Sequence, residues 1–184
     1  MKKKVTLIAI LFILFLSGCS SQYNEDDVIA SFQGNDIYVK DLRKLFHVGD
    51  TYIPEVARNY VFQEAVILEA KELGLEVPKE DVDREVESFM TYLEEEAPRE
   101  TKEFFEGKAG EYSMSVEEYV DTIVREEIEK SMYVEMMEVE AVENQAPDEL
   151  NAIERRDWVE EHFDEWYQSI LEKYEDDIEY FFEN

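Results

Sequence analysis

Few residues in this chain of 184 have the types and spacing that chemistry requires. The single cysteine, Cys19, follows two small residues, Ser17 and Gly18, and a thiol becomes a strong nucleophile once deprotonated. With one cysteine no intrachain disulfide can form, so packing must hold the fold. There are two histidines, His47 and His162. His162 stands between Glu161 and Glu165, which would offer a metal further ligands at helical spacing. Zinc usually takes three or four convergent ligands, and with 47 acidic residues such neighbours arise by chance. No metal site and no cofactor are expected. Glycine-rich phosphate loops, His-Glu-x-x-His and Gly-x-Ser-x-Gly do not occur. Carboxylate pairs are everywhere and read as a solvated face, so no catalytic residue is expected and the chain is not expected to be an enzyme.

The surroundings of Cys19 give it a different task. Lys2, Lys3 and Lys4 precede an uncharged apolar run over residues 5–16. A positive start, a short apolar stretch and small residues before a cut describe a secretory signal peptide. The run is well short of the roughly 20 residues a transmembrane helix needs. Leu16-Ser17-Gly18-Cys19 resembles the lipobox of bacterial lipoproteins. That resemblance implies a diacylglycerol on the Cys19 sulfur and cleavage between Gly18 and Cys19. It also implies a membrane-held protein of the cell envelope, on the outer face of the cytoplasmic membrane in a single-membrane host. The alternative is an ordinary signal peptide with a chance cysteine.

Charge and composition bound the remainder. The chain carries 18 basic and 47 acidic residues; without the three signal lysines, 15 against 47 leaves a net charge of −32. Such a surface excludes nucleic acid as a partner, since phosphates demand Lys and Arg. It also opposes flat docking on anionic lipid. A hydrophobic content of 45% with 13% aromatic residues is far above that of a disordered acidic tail. Residues 19–184 suffice for one packed domain, and only 6 glycines and 4 prolines favour helices.

The pattern divides the chain into a signal peptide (1–18), an acidic tether (19–27) and a helical domain (28–184). Residues 28–32 and 36–39 read as two strands, with Gly34-Asn35 supplying the positive φ of a tight hairpin. A short helix is expected over 40–46 and a break over 49–54. A long helix over 55–73 stops at Gly74. Pro78 opens another, which runs to about Glu96 with Val82, Val86, Phe89, Met90 and Leu93 on one face. Residues 101–105 suggest a short helical stretch, and 107–110 a break. Ser115 with Glu118 forms a capping box for a helix reaching about Val142. After a linker around Pro147 comes a last helix, residues 153–174. Residues 177–182 alternate as a terminal strand, expected to pair with the hairpin because a lone hairpin is marginal in water. The fold class is thus mainly α, with a small antiparallel sheet joining the two ends of the chain.

Several segments resemble the N-terminal chaperone domain of the SurA and PrsA families of exported foldases, whose core is related to trigger factor. Residues 28–37 followed by Asp41-Leu42 are similar to the opening hairpin and helix. Residues 69–86 (EAKELGLEVPKEDVDREV) are similar to the junction between two helices. Met114-Ser-Val-Glu-Glu-Tyr-Val through Ile128-Glu-Lys, and the closing Ile178-Glu-Tyr-Phe, resemble later segments. The likeness covers most of residues 28–182. It implies a non-catalytic chaperone for unfolded or exported polypeptides. Many members insert a parvulin prolyl isomerase domain before the closing helix. Here residues 141–153 occupy that place, far fewer than the roughly 40 at which a domain folds unaided. The isomerase activity is therefore not carried over. A scaffold lipoprotein that docks one envelope partner on the same fold is the alternative.

Methionine adapts to irregular surfaces and is overused where binding is promiscuous. Met132, Met136, Met137, Tyr133, Phe104 and Phe105 are the candidate client-binding residues, with core filling as the competing role for each.

Overall fold

The computed structural model describes residues 22–44 and 48–182. The signal segment, Gly18, Cys19 and His47 lie outside the described residues. The architecture is mainly helical with a small three-stranded antiparallel sheet, as its sequence pattern implies.

Strands β1 (Val28–Phe32) and β2 (Asn35–Tyr38) form the hairpin. The loop residues Gln33 and Gly34 have φ of 50° and 76°, a two-residue turn of the primed type. The positive-φ pair therefore sits one residue earlier than the expected Gly34-Asn35. Asn35 is instead the first residue of β2, opposite Phe32. The register slips between Val28 and Ala30, and this bulge at Ile29 goes with burial of all four residues from Ile29 to Phe32. Strand β3 (Ile178–Tyr180) pairs antiparallel with the other edge of β1, giving the order β2-β1-β3. The ends of the domain meet as expected.

Helix α1 (Val39–Leu42) is shorter than expected. Helix α2 (Ile53–Glu72) starts two residues before the expected Glu55, with Pro54 in its first turn, where the missing N–H costs nothing. Its end is a Schellman motif: Gly74 has φ of 74°, its N–H reaches the Lys71 carbonyl at 3.1 Å, and the Leu75 N–H reaches Ala70 at 2.9 Å. A Cβ on Gly74 would meet nothing within 4 Å, so the cost of substitution is conformational alone. Gly74→Ala is expected to lower the unfolding free energy by about 1–2 kcal/mol in urea titration; an unchanged midpoint would exclude this reading of the stop.

Helix α3 (Lys79–Thr91) leads into a π-helical turn at Tyr92–Glu96. Helix α4 (Arg99–Glu111) then runs straight through Gly107 and Gly110, where a break was expected. Each glycine costs roughly 1 kcal/mol in a helix. Packing overrides it, because Ala109 is buried in a core, Lys108 is buried in its own polar contacts, and both glycines face open space. Helix α5 (Val116–Tyr119), a π-helical turn (Val120–Val124) and α6 (Arg125–Ala141) form one rod over residues 116–141. Its start is the expected capping box: Glu118 N–H donates to Ser115 Oγ at 3.1 Å, and Ser115 N–H to the Glu118 carboxylate at 2.8 Å. Helix α7 (Ala152–Lys173) is capped by Asn151.

Two apolar cores result. The first joins the sheet, α1, α2, the far half of α6 and the later half of α7. The second joins α3, α4, α5, both π-helical turns and the near half of α6. The rod of α5 and α6 thus belongs to both. Two polar bonds lock the second core to the end of α1. Lys108 Nζ, on a residue only 5% exposed, donates to the Arg43 carbonyl at 3.1 Å. Tyr119 Oη donates to the Lys44 carbonyl at 2.5 Å. The segment expected to be a tether is bonded to this domain from Gln22 onward. Gln22 N–H donates to Asp50, Arg43 pairs with Glu25 at 2.7 Å, and Lys40 pairs with Asp26 at 2.8 Å.

Candidate functional site

One groove lies where four elements converge, and each supplies a stripe set by helical spacing. Helix α2 presents Val56, Tyr60 and Gln63; α6 presents Glu127 and Val134, seven apart; α7 presents Phe163 and Tyr167, four apart. Leu42 and Lys44 close the side at α1. The cavity has a volume of about 370 Å³, within the size range of ligand clefts. Its floor is Phe62, whose ring lies 4.3 Å from Tyr167 and meets Trp166 edge-on at 5.4 Å. Such edge contacts suit aromatic quadrupoles and hold the floor in one arrangement.

Behind Tyr60, which lines the groove, stands an ionic cluster. Lys130 Nζ lies 2.8 Å from Glu64, 3.2 Å from Glu126 and 3.2 Å from the Tyr60 hydroxyl, and stands 4.7 Å from the Tyr60 ring centroid. Burial opposes the charge on Lys130, but the hydrogen bond it donates to the Glu64 carboxylate and the neighbouring Tyr60 outweigh it and raise its pKa. Burial likewise pushes the Glu127 carboxyl up, against the weaker pull of Lys130. An acid with a raised folded pKa contributes stability below its unfolded value, near 4.5, and loses that contribution as pH rises through the folded value. Glu127→Gln keeps the neutral form at every pH. The variant is expected to be more stable than the parent at pH 7 and equal to it below about pH 4, read by urea unfolding at both values. Lower stability at pH 7 would mean that the carboxylate is favourable where it stands.

The six candidates named for client contact do not share one surface. Tyr133 and Met137 are 7% and 3% exposed and belong to the first core. Met136 is half-buried against that core. Met132 lines a shallow groove with Phe89 and Tyr92. Phe104 and Phe105 meet edge-on at 5.3 Å on α4, and Phe105 lines a further groove. The residues that build the groove between α2, α6 and α7 were visible only as helical stripes. Tyr60 and Gln63 are polar-tipped and carry no composition signal. His162 Nδ1–H donates to the Trp158 carbonyl at 2.8 Å, and its ring stacks on Trp158 at 3.7 Å. Among the described residues no group of three or more His, Cys, Asp and Glu converges as a metal site would. No helix among them is long and apolar enough to cross a membrane.

No protein-family model, no curated protein and no solved structure matches this chain.

Proposed function

We propose that this protein is a lipid-anchored, extracytoplasmic holding chaperone. It binds apolar segments of unfolded exported polypeptides in the groove between α2, α6 and α7, without catalysis. The observation that carries the reading is the groove itself: an aromatic floor of Phe62, Phe163 and Tyr167, open to solvent and ringed by charged and amide side chains. Concave clefts lined by apolar and aromatic side chains with a few polar groups are the usual form of a binding site. The resemblance to the SurA and PrsA chaperone domains and the lipobox at Cys19 support the same reading, although fold alone never fixes function. Residues 141–153 leave no room for an isomerase domain, so no prolyl cis–trans turnover is part of the proposal.

The test is photo-crosslinking in the native envelope from a probe amino acid at Gln63, a groove residue with a polar, half-buried side chain. A broad set of exported chains is expected. A single dominant partner would overturn the chaperone reading in favour of a scaffold that docks one protein.

A further inference from the structure

A second groove runs between α3 on one wall and α4 and α5 on the other. It consists of two adjacent hollows, about 450 and 400 Å³, that share Met90 and Glu117 as lining. Its floor is Met90, Leu93, Phe105 and Val116, drawn from α3, the first π-helical turn, α4 and α5. At three of these positions the next residue in the chain is an exposed glutamate lining the same groove: Leu93-Glu94, Phe105-Glu106 and Val116-Glu117. Three elements thus place an apolar side chain on the floor and a carboxylate on the rim, side by side.

The three carboxylates are available. Glu94, Glu106 and Glu117 have no ion pair or hydrogen bond through their side chains among the described residues. Among the described residues one cation lines the groove, Lys102, whose Nζ donates to the Glu94 carbonyl at 2.6 Å. The other two acids along the groove are also engaged, Glu118 by the Ser115 N–H and Asp121 by Arg125 at 2.7 Å. Met90 and Phe105 offer an adaptable sulfur and a ring, a floor that accepts varied apolar side chains. An apolar floor inside three carboxylates and one lysine carries a net negative charge, which attracts positive charge and repels negative charge within the roughly 8–10 Å over which salt does not screen.

We infer that this groove binds cationic peptide segments: an aromatic or aliphatic side chain seats on Met90 and Phe105, and flanking lysines or arginines meet Glu94, Glu106 and Glu117. The site is distinct from the groove between α2, α6 and α7, and adds a charge preference that the first groove does not supply.

The test uses the full chain in nanodiscs of zwitterionic lipid and two dye-labelled peptides. Both carry a central Phe-Leu pair, flanked in one by lysines and in the other by glutamates. Fluorescence anisotropy at low salt is expected to show the lysine peptide binding at least about tenfold tighter, with affinity falling as salt rises. The triple variant Glu94→Gln, Glu106→Gln, Glu117→Gln is expected to lose most of that preference. A control triple on α7, Glu160→Gln, Glu161→Gln, Glu165→Gln, removes the same net charge elsewhere and is expected to retain it. Equal affinity for the two peptides, equal losses in the two triples, or no binding of either peptide would overturn the inference. Client holding in the first groove would survive each of those results, so the two readings fail separately.

Discussion

Replacing Tyr119 with alanine is expected to remove about 3–5 kcal/mol of stability, the range for deleting a large buried aromatic side chain. Tyr119 is fully buried at the centre of the second core, with its ring 6.4 Å from Phe105 and 5.8 Å from Tyr112. Its hydroxyl is also one of the two bonds that hold that core to the end of α1. Burial pushes its pKa up to about 12, so the hydroxyl keeps its proton and its bond to Lys44 across the physiological range. Tyr119→Phe separates the two contributions. It keeps the ring and leaves the Lys44 carbonyl without this donor, and is expected to cost about 1–3 kcal/mol. Urea unfolding of both variants checks this. If the alanine variant lost less than the phenylalanine variant, the ring would not be a packing element, contrary to the structure.

The second large effect concerns attachment. If Cys19 carries the lipid, as proposed, Cys19→Ser removes the only sulfur able to accept it. Buried acyl chains contribute about 0.8 kcal/mol per CH₂, and two chains give stable anchoring where one gives only reversible binding. The variant is expected to incorporate no labelled fatty acid and to lose the processed, lipid-bearing form entirely. Its domain should unfold at the same temperature, because both apolar cores are built from residues beyond Gln22. Unchanged acylation and processing at the same position would remove the lipoprotein reading. The described domain begins close to Cys19 in sequence. Gln22, three residues on, is already bonded to Asp50, so the acidic segment is mostly part of the folded body and little of it is a free spacer.

Local signals in the sequence carried most of the elements. The capping box at Ser115 and Glu118 and the glycine stop at residue 74 are contacts between near neighbours, and the alternation before the C-terminus is a local pattern; each reappears in the structure. What escaped depends on distant partners. Helix α4 persists through two glycines partly because Lys108 reaches a carbonyl 65 residues away, which no window of local sequence contains. The two π-helical turns carried no local signal either; each sends side chains into the second core, Leu93 from the first and Val120 and Val124 from the second. The same limit applied to the candidate site. The Met and aromatic positions of α6 were visible, yet helical periodicity alone could not say that Tyr133 and Met137 face inward while Val134 faces the groove. That distinction depends on where α2 and α7 cross the rod, and only the assembled fold fixes it.

The central claim is that the groove between α2, α6 and α7 holds unfolded chains. Its most direct test is light scattering from a reduced, aggregating client mixed with the full chain or with its Val134→Lys variant. Val134 is half-buried on the groove wall, so a lysine there places a charge in the apolar cleft while its stem can reach solvent. The parent is expected to suppress aggregation at a few-fold molar excess, and the variant, equally folded by circular dichroism, to lose most of that suppression. A parent that leaves aggregation unchanged, or a variant that suppresses it as well as the parent, would contradict the account.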